Sequence, residues 1–171
     1  MLEGGVKSID YETKFTMFTD GSALNNGAEA AAGMAVYIPS RKILLSKPMI
    51  ATNNQAELEA MRYGLWYFTQ RFMTLTIPDK IVYIFTDSEY VINTLSNKWK
   101  AKENLPKIKV CRMLVKQIEE KGLKVEFIHV KAHTKKKDFI SLNNDIVDQE
   151  ARRRANEMKS TKAEATVAPE E

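Results

Sequence analysis

Residues 81–88, Ile81-Val82-Tyr83-Ile84-Phe85-Thr86-Asp87-Ser88, combine an apolar run, a carboxylate and a helix-capping residue in one short stretch. An uninterrupted apolar run is typical of a strand whose sheet is covered on both faces. Ser88 is a favoured N-cap residue, so a helix is predicted to follow. A buried strand that leads into a helix in this way indicates the α/β class.

A second stretch nearer the start of the chain has the same organisation. Residues 14–19, Lys14-Phe15-Thr16-Met17-Phe18-Thr19, favour a strand that stops at Asp20-Gly21-Ser22. Two further strands are predicted at 33–37 and 42–46, joined by the turn Pro39-Ser40-Arg41. Together they predict three sequential antiparallel strands.

The segment that precedes residue 81 predicts a long amphipathic helix. Thr52-Asn53-Asn54-Gln55 has the spacing of a capping box, and Glu57 follows in the predicted first turn. Apolar residues then recur at the three-to-four spacing of a buried helical stripe, namely Leu58, Met61, Leu65, Phe68 and Phe72.

The C-terminal half predicts a helix from Leu105 to Gly122, a strand at 124–130, a polar loop at 131–143 and a last helix from near Asn144. The full order is three strands, a helix, a strand, two helices, a strand and a helix. This order predicts a mixed sheet with helices on both faces. We expect one domain over residues 13–159, with a lead-in at 1–12 and a disordered acidic tail at 160–171.

Composition excludes several protein classes. The chain of 171 residues has 44% hydrophobic residues, enough for a full core, but no apolar run near the roughly 20 residues that cross a bilayer. The start carries no signal-peptide pattern, and the single cysteine, Cys111, excludes an intramolecular disulfide. A cytoplasmic or nuclear protein without membrane contact is expected, with Cys111 as a partly buried structural thiol.

The net charge of +4 is unevenly distributed. Between Lys98 and Lys116 lie seven Lys or Arg residues and one acid, Glu103. A basic cluster of this kind favours a polyanionic partner, although a solvated helix face has the same composition.

Three carboxylates are predicted to meet at one edge of the sheet. Asp20 and Asp87 each follow an apolar strand, and Glu57 lies near a helix start. If the two strands are parallel neighbours, their carboxylates share the edge where ligand sites of α/β proteins form. Crowded carboxylates require a cation, and oxygen ligands favour Mg²⁺ or Mn²⁺. Taken singly, each residue is equally consistent with a turn, a helix entry or a favourable helix-dipole position.

Five motifs in sequence resemble type 1 ribonuclease H over about residues 13–158. They are Asp20-Gly21-Ser22, Thr52 to Leu58, Phe85 to Val91, His129 to His133 and Asn144 to Asp148. The resemblance implies the ribonuclease H-like fold, a five-stranded mixed sheet with helices on both faces. It also implies endonucleolytic cleavage of the RNA strand of RNA/DNA hybrids by two Mg²⁺ ions, with Mn²⁺ as an alternative, giving 5′-phosphate and 3′-hydroxyl ends.

The family's catalytic residues map onto this sequence one by one. Its four metal-binding carboxylates fall on Asp20, Glu57, Asp87 and Asp148. Asp148 is preferred to Asp145 because it lies four residues after Asn144 and shortly before Ala151, but a different helix start would exchange the two aspartates. His133 matches a loop histidine thought to assist proton transfer or product release.

The resemblance also implies a substrate-binding set. Asn53, Asn54 and Asn26 would sense the 2′-hydroxyl, since a carboxamide offers both a donor and an acceptor. Thr52 would hold a phosphate of the DNA strand. The basic segment Lys98-Trp99-Lys100 would contact the DNA backbone, although Trp99 is equally consistent with a core anchor.

Four features depart from the family pattern. Glu89 stands near the substrate where the family commonly has Gln, and residues 27–33 replace a Gly-rich turn. The basic protrusion between the middle helices is shortened. The loop between His133 and Asp148 is predicted to be longer than usual and contains Lys135-Lys136-Lys137.

A monomer without an obligatory protein partner is expected. The main alternative is a catalytically weak ribonuclease H-like module that binds a hybrid or a protein, which Glu89 and the altered turn would favour. A transposase or integrase nuclease core is a second alternative, but such cores lack the run from Thr52 to Glu57.

Overall fold

One mixed sheet of five strands forms the centre of the molecule. A computed structural model describes residues 9–25, 27, 29–96, 98–131 and 138–166. The strands are β1 (Phe15–Ala23), β2 (Ala31–Ile38), β3 (Ile43–Ile50), β4 (Ile81–Thr86) and β5 (Lys124–His129). The helices are α1 (Asn53–Arg71), α2 (Glu89–Leu95), α3 (Leu105–Glu120) and α4 (Phe139–Thr166). The predicted order of elements and the predicted fold class are confirmed.

The strands lie in the order β3-β2-β1-β4-β5. The antiparallel meander β1-β2-β3 forms one half, and β4 and β5 are added in parallel to β1. The parallel connections pass through helices, because two parallel strands cannot be joined by a tight turn. Helix α1 follows β3 and helix α2 follows β4, so both helices begin at the same edge of the sheet.

Helices cover both faces of the sheet with separate apolar clusters. The predicted stripe of α1 is buried against Met17, Val36 and Ile84, and α2 and α3 complete the same layer. Cys111 of α3 lies within this layer, and burial raises the pKa of its thiol to about 12. On the opposite face, Val147 and Ala151 of α4 pack beside the stacked rings of Phe18 and Phe85.

The last helix begins earlier than predicted. It starts at Phe139 rather than near Asn144, so the last five residues of the segment predicted as a polar loop, 139–143, are helical. The Asp138 side chain accepts a hydrogen bond from the Ser141 backbone N–H at 2.9 Å, as an N-cap residue does. Phe139 contacts the Phe18 ring, with the ring centres 6.0 Å apart. Residues 139–147 of the segment between His133 and Asp148 are therefore helical, and its lysines 135–137 lie outside the described residues.

The same helix also ends later than predicted. It continues to Thr166, so residues 160–166, predicted as disordered, are helical, while 167–171 lie outside the described residues. Four of the seven residues in this extension, 162–165, are Lys, Ala, Glu and Ala, which are strong helix formers. None of the helices in the described ranges has the length and apolarity that crossing a bilayer requires. At the other end, Tyr11 of the predicted lead-in packs edge-on against Tyr83 and Phe85.

A buried carboxylate, Glu59, joins three elements of the α1 layer. Its side chain is only 5% exposed and binds Lys47 of β3 at 2.6 Å, Arg62 of α1 at 2.7 Å and Lys107 of α3 at 2.8 Å. Burial alone would raise the pKa of Glu59, but the hydrogen bonds from Arg62, Lys107 and Lys47 outweigh it and hold the pKa well below its ordinary value. Ionised Glu59 thus stabilises the packing of α1 between β3 and α3.

We expect Glu59→Ala to lower the free energy of unfolding by about 3 kcal/mol, because it leaves three mutually repelling cations around a vacated site. Because the pKa of Glu59 is lower in the folded than in the unfolded protein, its ionisation stabilises the fold above the unfolded-state pKa. The stability lost in Glu59→Ala should therefore shrink as the pH falls below about 4. Urea unfolding at pH 7 and pH 3 measures both effects. Glu126→Ala is the matched control, because its pair with Lys124 is exposed and should contribute less than about 1 kcal/mol. Equal losses in the two variants would contradict the prediction.

Candidate active site

Strand pairing brings Asp20 and Asp87 to the same edge of the sheet. The parallel register places Phe18 of β1 opposite Phe85 of β4, and both aspartates lie two residues further along. Asp20 does not end its strand as predicted. β1 continues to Ala23 because these residues still pair with β2, although its pairing with β4 stops at Phe18. The predicted meeting of the two side chains nevertheless holds.

Glu57 reaches the two aspartates from the start of α1. It is the fifth residue of a helix whose N-cap, Thr52, forms the predicted capping box with Gln55. The Gly21 backbone N–H donates to Glu57 Oε1 at 2.7 Å and also lies 3.0 Å from Asp20 Oδ1. Oxygens of Asp20, Glu57 and Asp87 lie within 4.8 Å of one another, and together they form the carboxylate cluster.

The carboxylate cluster is electrostatically costly without a cation. Burial raises the pKa of Asp20 well above its ordinary value, and the Asp87 charge raises it further, while the hydrogen bond with Glu57 partly opposes this. Burial likewise raises the pKa of Glu57, assisted by the charges of Asp20 and Asp87, whereas the Gly21 N–H acts in the opposite direction. Both shifts have the same origin, which is negative charge held close together away from water.

Asp148 approaches the cluster from the opposite face of the sheet. It lies in the third turn of α4 and interacts with Asp20 both through its charge and as a hydrogen-bond partner. Arg152, one turn further along, lies with its Nη2 3.4 Å from Asp148 Oδ2. No interaction of Asp145 with the carboxylate cluster is found among the described residues. The geometry therefore places Asp148, and not Asp145, beside Asp20.

The donor set fits divalent cations. Oxygen ligands from ionisable carboxylates, without nitrogen or sulfur, are what Mg²⁺ and Mn²⁺ prefer. The raised pKa values of Asp20 and Glu57 supply an independent reason, because a cation between these groups would replace the repulsion with attraction.

The predicted substrate residues of α1 lie next to the carboxylate cluster. Asn53 and Asn54 are exposed in the first turn, four and three residues before Glu57. Asn53 Oδ1 accepts a hydrogen bond from the Ala23 backbone N–H at 3.2 Å, which joins the helix start to the end of β1. The Thr52 hydroxyl accepts from the Gln55 N–H at 3.1 Å and retains its own proton for donation.

The predicted basic segment lines a separate cavity. This cavity of about 510 Å³ lies between the end of α2 and the start of α3, and its lining includes Lys98, Trp99, Lys100, Leu105 and Arg112. Trp99 is 48% exposed, which argues against the alternative of a core anchor. Glu89, the first residue of α2 and two residues after Asp87, is exposed.

Two predicted site residues, Asn26 and His133, lie outside the described residues. The structure adds two residues, Gly21 and Arg152, whose roles at the site the sequence analysis did not identify. Gly21 holds Glu57 through its backbone N–H, a role that no side-chain pattern encodes. Arg152 pairs with Asp148 four residues before it, a helical spacing of opposite charges that the sequence does contain.

Sequence comparison finds one family and a related protein. Residues 12–156 match the family model described as RNase H. The ribonuclease H of Caldicellulosiruptor saccharolyticus is 28% identical over 155 residues, which cover 84% of this chain and 97% of that protein.

Structure comparison finds similar folds at low identity. RNase H1 of the halophilic archaeon Halobacterium salinarum NRC-1 aligns with a TM-score of 0.59 and 19% identity, covering 84% of this chain and 98% of that one. LC11-RNase H1 in complex with an RNA/DNA hybrid, a protein isolated from compost by a metagenomic approach, aligns with a TM-score of 0.62 and 22% identity, with coverage of 84% and 98%. Because these identities are low, the structures show that the fold is similar and show nothing beyond that.

Proposed function

The chain belongs to the RNase H family, and from this premise we propose that it hydrolyses the RNA strand of RNA/DNA hybrids. The observation that carries the proposal is the carboxylate cluster. Without a cation, the ionised forms of these buried acids are unfavourable, which their raised pKa values reflect. A cluster that costs stability in this way is expected where the acids serve to bind cations. A hybrid is also the ligand bound by LC11-RNase H1.

Asp20, Glu57, Asp87 and Asp148 would hold two divalent cations, Mg²⁺ or Mn²⁺. When bound, such ions activate a water molecule and stabilise the leaving oxygen of the phosphodiester, which yields 5′-phosphate and 3′-hydroxyl ends. Asp20 interacts with all three other acids and would be the central ligand. Glu57, Asp87 and Asp148 would complete the set of residues that hold the cations.

The remaining residues position these acids and the substrate. The Gly21 N–H fixes the Glu57 carboxylate, and Arg152 restrains Asp148. The amides of Asn53 and Asn54, with Asn26, would sense the 2′-hydroxyl. The Thr52 hydroxyl would donate a hydrogen bond to a phosphate of the DNA strand, and Lys98, Trp99 and Lys100 would contact the DNA backbone. His133 would assist proton transfer or product release.

One assay tests the activity. The protein is incubated with labelled RNA/DNA hybrid, double-stranded DNA and single-stranded RNA, each with Mg²⁺ or with chelator. We expect cutting of the RNA strand in the hybrid alone, and only with Mg²⁺. Hybrid binding without any cutting would contradict the proposal and would favour the alternative of a catalytically weak binding module, which the exposed Glu89 charge would suit.

The fourth acid is tested by a matched pair on α4. We expect Asp148→Asn to lower activity at least about 100-fold, since it removes a group that contacts Asp20. Asp145→Asn, which removes the same charge one helical turn away, should retain activity within a few fold. Initial rates at saturating Mg²⁺ measure both. If Asp145→Asn is the damaging change, the two assignments must be exchanged.

A further inference from the structure

The Asp87 carboxylate differs from the other acids of the site in how it is held. The Gly21 backbone N–H donates to Glu57, and Arg152 pairs with Asp148. Among the residues that the structure describes, no hydrogen-bond donor contacts the Asp87 carboxylate. The place of this carboxylate in the cluster therefore depends on the backbone that carries it.

The backbone around Asp87 is a short turn between a strand and a helix. β4 ends at Thr86, whose carbonyl accepts from the Val130 N–H at 2.8 Å. The Thr86 hydroxyl accepts from the Ser88 N–H at 3.0 Å, and α2 begins at the next residue, Glu89. The Asp87 carbonyl lies beyond the last pair of β4 and β5, and within the described ranges no backbone N–H donates to it.

His129 supplies the partner that the Asp87 carbonyl lacks in the backbone. Its Nε2 lies 3.2 Å from the Asp87 carbonyl oxygen. Because a carbonyl oxygen only accepts hydrogen bonds, Nε2 carries the proton and donates it. His129 is the last residue of β5 and the register partner of Thr86, so the two side chains project from the same face of the sheet beside the turn.

An exposed histidine at the end of an edge strand needs no functional role by itself, and β5 is an edge strand. The partner of the His129 ring distinguishes it from such a residue. The ring binds the peptide of the one acid in the carboxylate cluster that has no donor of its own. With the Val130 N–H one residue further along, the end of β5 holds the turn at two successive carbonyls.

We propose that His129 is a positioning residue, whose Nε2–H fixes the turn that presents the Asp87 carboxylate to the cations. The inference rests on the proposed function and adds to it a residue that acts through Asp87 and does not touch the reacting atoms. Groups that orient metal ligands in this way typically change metal affinity or activity by about 10–100-fold when they are removed.

Three substitutions of His129 test the donor. His129→Gln keeps an N–H at about the reach of Nε2, whereas His129→Met has a similar length and no donor, and His129→Asn is too short. We expect His129→Met and His129→Asn to lower kcat about 10-fold and to require about 10-fold more Mg²⁺ for the half-maximal rate. KM for the hybrid should change less than about twofold, because the ring binds the protein and not the substrate.

His129→Gln should restore kcat and the Mg²⁺ requirement to within about threefold of the wild type. Lys124→Met is the matched control, because Lys124 is exposed at the other end of the same strand and should change neither quantity. Two variants without the donor are included, so that a folding defect in one leaves the other to decide.

The melting temperature gives a readout that does not depend on cleavage. In chelator all variants should melt within about 4 °C of the wild type, since one exposed hydrogen bond contributes little to stability. The Mg²⁺ concentration that gives a set rise in melting temperature should be about 10-fold higher for His129→Met and His129→Asn, and close to the wild-type value for His129→Gln.

Each contrary outcome has a distinct meaning. Wild-type kcat and Mg²⁺ response in both His129→Met and His129→Asn overturn the inference. Equal damage in His129→Gln and His129→Met shows that the donor is not the cause and also overturns it. A raised KM with unchanged kcat would make His129 a substrate contact, contrary to the inference. If the wild type binds Mg²⁺ but cuts no hybrid, the proposed function fails, and the melting temperatures still decide the role of His129.

Discussion

Asp20→Asn should abolish Mg²⁺-dependent cleavage of the hybrid, with a loss of about a thousandfold or more. Asp20 is the acid that contacts Glu57, Asp87 and Asp148 alike, so its charge serves every cation the cluster could hold. Asparagine keeps the size of the side chain and removes only the charge and one anionic oxygen. Single-turnover cleavage of labelled hybrid, with Asp145→Asn as the control on a neighbouring acid, measures the effect.

The same substitution should stabilise the protein when no cation is present. The pKa of Asp20 is raised in the folded state, chiefly by burial and then by Asp87, so its ionisation opposes folding at neutral pH. Removal of about 1 kcal/mol of this cost would raise the melting temperature by about 2–4 °C in chelator at pH 7. Below the unfolded-state pKa of aspartate, Asp20 is protonated in both the folded and the unfolded protein and its ionisation no longer opposes folding. The stability that Asp20→Asn gains over the wild type should therefore disappear below about pH 4.

The response of the melting temperature to Mg²⁺ tests whether Asp20 is a cation ligand or has only a structural role. Because a ligand stabilises only the state that binds it, Mg²⁺ should raise the melting temperature of the wild type and leave that of Asp20→Asn nearly unchanged. An equal Mg²⁺ response in both proteins would remove Asp20 from the cation site. A lower melting temperature for Asp20→Asn in chelator would show that Asp20 has a structural role.

The sequence predicts the arrangement of elements because local patterns agree with the tertiary contacts. The apolar run of β4 is buried on both faces, and the capping box at Thr52 starts α1 as predicted. Two carboxylates placed at corresponding points after parallel strands must meet, and strand register brings Asp20 and Asp87 together. For these residues, local pattern and sheet topology suffice.

The features that escape prediction depend on contacts between distant residues. Phe139 and Ile140 interrupt a polar stretch, and only their packing against the sheet shows that α4 begins there. Glu59 interrupts the buried side of α1, and its burial is explained only by cations from β3 and α3. No periodicity within α1 encodes those partners. The additional turn of α4 also takes up residues 139–143 of the predicted loop and leads to Asp148, which interacts with Asp20.

Gly21→Ala should impair both folding and catalysis, although it changes a residue with no side chain. A Cβ at this position would lie 2.3 Å from the Ala56 carbonyl carbon and from the Glu57 backbone nitrogen. Both atoms belong to the backbone of α1, so only a shift of the helix of about 1 Å could relieve the overlap, and such a misplacement can cost about 100-fold in rate. We also expect a loss of about 3 kcal/mol in the free energy of unfolding.

Two glycines of this chain provide matched controls for that experiment. At Gly64, also on α1, an added Cβ would meet the flexible Met17 Sδ at 2.6 Å, which can move aside. At Gly27, the nearest atom among the described residues is Asn25 Oδ1, 3.8 Å away. Urea unfolding and initial cleavage rates should therefore rank the damage as Gly21→Ala first, Gly64→Ala second and Gly27→Ala last. Because the Gly21 N–H holds Glu57, a Gly21→Ala variant that unfolds early yet cleaves at the wild-type rate would separate packing from catalysis and contradict the positioning role.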